Sequence, residues 1–134
     1  MRPGIVVAAS LLGLGACSHA SAGTVSAPLS GEPAPVVLSA YLRALVAGDC
    51  STAHALVAST FTVGNGELCG GLQVSGFSAP RGPARLGASK VEYAVDLTTT
   101  GSSDGTIAPG TTTWFYQLAK QNGEWRLVSG GSGP

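Results

Sequence analysis

Hydrophobic positions from Val37 onward recur with the spacing of a helix. Leu38, Tyr41, Leu42 and Leu45 fall at i, i+3, i+4 and i+7, one apolar stripe on an amphipathic helix that starts near Ala34. Pro35 suits its first turn, where a missing N–H costs nothing, and Gly48 supplies the stop. Asp49 or Ser51 then caps a shorter second helix running to about Val57, with Leu56 and Val57 inward. Residues 59–71 mix Thr, Gly and Asn, which predicts irregular chain or a short strand around Phe61–Val63.

After Gly71 the period changes to two. Leu72, Val74 and Gly76 alternate with polar neighbours, and Val91, Tyr93, Val95 and Leu97 alternate with Glu92, Ala94 and Asp96, which predicts an antiparallel strand with one face in a core. Thr112–Lys120 is β-branched and aromatic, with Trp114, Tyr116 and Leu118 on one face. Asn122-Gly123 is a two-residue hairpin turn, returning the chain through Trp125, Leu127 and Ser129. Gly130–Pro134 is too rich in glycine to hold structure, so the domain is expected over 34–130 and a disordered tail over 131–134. Helices followed by a three- or four-stranded meander predict an α+β fold, with two N-terminal helices packed on one face of an antiparallel sheet.

Composition narrows the partners. The chain has 134 residues, the length of one domain; 44% are apolar, enough for a core, and only 10% are charged. Lys+Arg 7 balance Asp+Glu 7. A nucleic-acid binder needs a basic stripe, so no nucleic acid is expected as a partner.

The N-terminus changes the picture more. Arg2 precedes an apolar run from Ile5 to about Ala16, too short for a bilayer core that needs about 20 residues, and it reads as a secretory signal. The run ends Leu14-Gly15-Ala16-Cys17, which resembles the lipobox of bacterial lipoproteins. The resemblance implies a signal peptide over 1–16 and a lipidated Cys17 as the first mature residue. It also implies attachment to the extracytoplasmic face of the cell membrane. The alternative is an ordinary secretory signal with an incidental Cys. Residues 17–33 then form a tether of Ser, Ala, Gly and Pro that is flexible in its first part. An exported protein meets an oxidising compartment, where the remaining Cys50 and Cys69 pair as a disulfide that stabilises by about 3 kcal/mol. The alternative is a metal site of Cys50, His54 and Cys69; it lacks a fourth protein ligand, so neither metal nor cofactor is expected.

The stretch Val37-Leu38-Ser39-Ala40-Tyr41-Leu42-Arg43-Ala44-Leu45-Val46-Ala47-Gly48-Asp49, followed by Ala53-His54-Ala55-Leu56, resembles the opening of the nuclear transport factor 2-like superfamily. That superfamily includes SnoaL-like cyclases, ketosteroid isomerases and many actinobacterial lipoproteins. The resemblance implies a cystatin-like cone in which a curved antiparallel sheet and the helices enclose a ligand pocket. The family's long third helix is missing, because Gly64–Gly71 is too glycine-rich to form it. Tyr41 falls where the isomerases carry their oxyanion-donating tyrosine, and Asn65 falls where they carry the carboxylate base. An amide cannot accept a proton at neutral pH, so no catalytic residue is assigned, and Tyr41 and Asn65 are pocket candidates only. Tyr41 also reads as a core aromatic with a satisfied hydroxyl. Gly101-Ser102-Ser103-Asp104-Gly105 matches a nucleophile elbow in letters, but no helix and no His follow it, so it reads as a hairpin loop.

The leading expectation is therefore a lipid-anchored, non-catalytic domain that binds a small apolar ligand or an envelope protein. One alternative is an isomerase- or cyclase-like enzyme using Tyr41 with a strand carboxylate, Glu92 or Asp96. Another is a structural accessory subunit that dimerises through its sheet.

Overall fold

A computed structural model describes residues 23–133 of the chain; the signal segment 1–16 and Cys17 lie outside the described residues. Helix α1 (Ala34–Ala47) has Pro35 in its first turn and ends where Gly48, at φ 69°, turns left-handed and returns its N–H to the Ala44 and Leu45 carbonyls. The stripe Leu38, Tyr41, Leu42 and Leu45 is buried, joined by Val37, Ala40 and Ala44, whose small side chains let the helix sit close to the sheet. Helix α2 (Cys50–Ala55) is capped by Asp49, whose carboxylate accepts from the Thr52 N–H at 3.1 Å. It stops short of the predicted Val57 because Leu56–Ala58 turns to pair with the last strand: the Leu127 N–H donates to Leu56 O and the Ala58 N–H to Leu127 O. No helix among the described residues is long and apolar enough to cross a membrane.

The sheet has five antiparallel strands: β1 (Val74–Phe77), β2 (Arg81–Gly87), β3 (Lys90–Thr99), β4 (Gly110–Gln121) and β5 (Glu124–Gly131). This corrects the expected three or four. Strands β1 and β2 share one edge of β3, β1 along Leu97–Thr99 and β2 along Lys90–Ala94. The Ser78 hydroxyl bridges the break between them by accepting the Asp96 N–H at 2.9 Å. The predicted alternation holds in β3 and β4, where Val91, Tyr93, Val95 and Leu97 pack with Trp114, Tyr116 and Leu118 beneath α1. Asn122 and Gly123 both take positive φ, the hairpin turn their sequence predicts.

Of the two readings of residues 59–71, irregular chain holds: no strand forms at Phe61–Val63, where Phe61 is buried against the Tyr41 and Tyr116 rings and Val63–Asn65 is a 3-10 turn. The end of the chain is not wholly tail, since β5 continues to Gly131, with Gly130 opposite Tyr116 and Gly131 opposite Phe115. A register shift beside Val128 breaks the alternation, so Gly130 rather than Ser129 faces Tyr116. The first part of the tether, 17–22, lies outside the described residues, and its described part, residues 23–33, lies against the domain. Gly23 N–H donates to Ala47 O at 3.2 Å, Val25 N–H to Asp49 Oδ2 at 2.9 Å, and the Ser30 hydroxyl to Glu124. The Asp49 carboxylate thus serves both the α2 cap and this strap, which together hold its pKa below the ordinary carboxylate value.

Candidate functional site

The one buried carboxylate among the described residues is Glu67, which the sequence reading did not single out. It leaves the glycine-rich turn after Asn65 and points under α1. There its Oε1 accepts from the Tyr41 hydroxyl at 3.0 Å and from the Cys69 N–H at 2.9 Å. Its Oε2 lies 3.4 Å from His54 Nε2 in the last turn of α2, and His54 is half exposed. The Cys50–Cys69 disulfide, with Cα atoms 5.6 Å apart, ties α2 to this segment two residues past Glu67. Both sulfurs are thereby used, so the Cys50, His54, Cys69 metal site is not formed, and His54 faces Glu67 instead.

Tyr41 has no exposed surface. Burial first, then the neighbouring Tyr116 and the charge of Glu67, push its pKa far above the usual phenol value, so its hydroxyl stays a neutral donor. The Asn65 amide is equally committed. Its Oδ1 accepts from the Thr62 N–H at 2.7 Å, and its Nδ2 donates to Thr60 O at 2.7 Å and Val128 O at 3.3 Å. Asn65 therefore shapes its own loop, and the two pocket candidates do not converge on an open space.

The strand carboxylates stand on the sheet face opposite the core. Glu92 accepts from Gln117 at 2.9 Å. Asp96 takes a bidentate pair from Arg81 at 2.9 and 3.0 Å and a third bond from Thr113, and these partners hold its pKa below the ordinary value. Residues 101–107 form the expected loop. Asp104 Oδ1 accepts from the Ser102 hydroxyl and from the N–H and hydroxyl of Thr106, bonds that lower its pKa to about 2. The hydroxyl of Ser102 is occupied there, and no His among the described residues approaches it.

Two clefts share Val63 and Glu67. One, of about 400 Å³, runs past His54, Phe61 and Cys69. The other, of about 520 Å³, lies between the 63–72 segment, the 102–107 loop and the end of β5, with Leu68, Leu72, Ile107 and Trp114 supplying its apolar wall. A broader hollow of about 720 Å³ over the disulfide shares Gly71 and Leu72 with it, but holds no unpaired buried polar atom among the described residues. Trp114, which lines the 520 Å³ cleft, carries such an atom beneath its surface. Trp114 is 7% exposed, and its indole N–H meets no acceptor. Glycine makes this arrangement possible. A Cβ on Gly130 would stand 2.8 Å from Trp114 Nε1, and a Cβ on Gly66 would stand 2.1 Å from Gly130 O. The 63–67 turn thus lies flat on the end of β5, and the indole occupies the space that a side chain at residue 130 would fill. Tyr116, wholly buried beside Tyr41, also has an unpaired hydroxyl, and burial with the nearby Glu67 charge pushes its pKa well up.

Comparison with family models, with curated proteins and with solved structures finds no match to this chain.

Proposed function

We propose that this chain is a lipid-anchored protein of the bacterial envelope, on the extracytoplasmic face of the cell membrane, whose folded domain binds a small apolar ligand without catalysis. The observation that carries the binding role is the 520 Å³ cleft with its apolar wall of Leu68, Leu72, Ile107 and Trp114. That volume lies within the range of small-molecule sites, roughly 300–1,000 Å³. The cone-shaped fold of the nuclear transport factor 2-like superfamily belongs to the same reading, supported by two helices preceding an antiparallel sheet and by Tyr41 on the buried face of α1. Anchoring rests on the lipobox ending at Cys17, and the disulfide suits an oxidising compartment.

The polar chemistry favours binding over turnover. Tyr41, Asn65 and Glu67 are all engaged with protein partners, while Glu92 and Asp96 stand on the opposite face of the sheet. An isomerase built on Tyr41 and a strand carboxylate is disfavoured, because Glu92 and Asp96 lie across the sheet from Tyr41. Two results are expected. Cys17→Ala abolishes incorporation of a labelled fatty acid and removes the protein from the membrane fraction. The uncharged probe N-phenyl-1-naphthylamine binds the full chain in a saturable way, with one molecule per chain, while enolisable ketones are not turned over. Normal processing of Cys17→Ala would end the anchoring reading, and unsaturable probe partitioning would end the binding one.

A further inference from the structure

The strap over residues 23–33 decides which end of the domain lies nearest Cys17. It begins at Gly23, whose N–H donates to Ala47 O in the last turn of α1, and Val25 is held by Asp49 and Thr52. From there it returns past α2 to the start of α1, a helix of 14 residues whose ends stand about 21 Å apart. The Ser30 hydroxyl bonds Glu124 in the β4–β5 hairpin, beside Val37 in the first turns of α1. A chain leading straight into Ala34 would therefore leave the domain at its hairpin end. The strap moves the point of departure to the opposite end. Cys17 lies six residues before Gly23, a span of at most about 22 Å. Measured from Pro33, the chain to Cys17 could span up to about 58 Å.

The end so presented suits a lipid surface. It carries the 720 Å³ hollow between the α1 C-terminus, the 69–73 turn and the 100–103 loop. No Asp, Glu, Lys, Arg or His among the described residues lines that hollow, and Val46 in its wall is 41% exposed. Asp49 and Asp104 flank it in the chain, and protein donors already hold both carboxylates. An uncharged face loses little when lipid headgroups displace its water. The hairpin end differs, because Glu32, Lys120, Glu124 and Arg126 gather there and would be desolvated against a bilayer. The hollow also has no cation in its wall to attract anionic lipid. The short link to Cys17, rather than lipid charge, sets the orientation.

We infer that the strap seats the domain on the lipid surface with the α1 C-terminus and its uncharged hollow toward the headgroups and the β4–β5 hairpin outward. This rests on the lipid anchor proposed above. The test uses the full acylated chain, isotope-labelled, in phosphatidylcholine nanodiscs that contain a gadolinium-chelate lipid, with amide relaxation read by NMR. That relaxation falls with the sixth power of distance, so ends about 21 Å apart should differ more than tenfold. Amides of Ala47, Gly48 and Gly101 are expected to relax fastest, and those of Asn122 and Gly123 slowest. Adding phosphatidylglycerol should leave this order unchanged. Val25→Pro with Ser30→Ala deletes two of the strap's bonds, and with its release confirmed by the chemical shifts of 26–29 the difference should vanish. A long Gly-Ser insertion after Ser18 leaves those bonds intact and should erase the difference as well. A uniform or reversed pattern in the anchored wild type overturns the orientation and leaves the anchor in place. So does a pattern that needs phosphatidylglycerol or that survives either variant. If the chain carries no acyl group and does not enter the nanodisc, the anchor falls together with the orientation.

Discussion

Glu67→Ala is expected to lower the unfolding free energy by about 3–5 kcal/mol, the scale on which removing one partner of a buried charged network acts. The carboxylate meets two donors: the Tyr41 hydroxyl, wholly buried with no solvent to fall back on, and the Cys69 N–H, which is partly buried. Each orphaned donor costs roughly 1–3 kcal/mol. His54, half exposed, regains water and contributes little. Glu67→Gln separates the terms, because its carbonyl oxygen can still accept from both donors while the charge is lost. It should cost about 1–2 kcal/mol. Urea unfolding of the oxidised protein measures both, with the intact disulfide verified in each variant. A Glu67→Ala midpoint within experimental error of the wild type would show that the buried network does not hold α1 to the 63–72 segment.

What the sequence made legible follows from what side-chain period can encode. Helix α1 and strands β3 and β4 bury one face each, so Leu38 to Leu45, Val91 to Leu97 and Trp114 to Leu118 carry the spacing of their elements. Strand β2 carries none. Every residue of Arg81–Gly87 is exposed, with Gly82 and Pro83 within it, and it is a strand only because β3 presents a free edge. The end of β5 was hidden for the opposite reason. Its glycines read as disorder, whereas Gly130 is required by the Trp114 indole, sixteen residues earlier in the chain.

The candidate site was legible only in part. The cysteine count predicted the bridge that forms, but it could not show what the bridge encloses. Glu67 stands in Gly64-Asn65-Gly66-Glu67, where a lone acid looks solvated, and its chief partner, Tyr41, lies a whole helix earlier. The available signal was its place two residues before a bridged cysteine, which draws that stretch under α1. The isomerase resemblance puts Asn65 where the base would stand, but its amide serves its own turn. The acid that meets the tyrosine is two residues further on.

Gly66→Ala should be at least as disruptive, at about 3–5 kcal/mol, by a mechanism that removes no favourable contact at all. Gly66 sits at φ 108° and ψ 7°, outside the region an L side chain enters without strain. Its added Cβ would lie 2.1 Å from Gly130 O and 2.5 Å from Gly130 C. Those are backbone atoms of a strand paired to Tyr116, and they cannot swing away as a long side chain would. Overpacking of a fixed interior costs typically 1–3 kcal/mol before the backbone strain is added. The turn must therefore lift off β5, breaking the Asn65 bond to Val128 O and moving Glu67 away from Tyr41. Gly64 provides the control within the same turn. It has no positive φ, and its added Cβ would meet only the Thr62 hydroxyl at 3.7 Å, an ordinary contact. Gly64→Ala should leave stability within about 1 kcal/mol of wild type, and the reduced freedom of its unfolded chain favours a small gain. At roughly 4–8 °C per kcal/mol for a domain of this size, thermal melts of the two variants should separate by more than 10 °C. Equal melting temperatures would mean that the 63–67 turn does not rest on β5, and the cleft wall built from that contact would have to be redrawn.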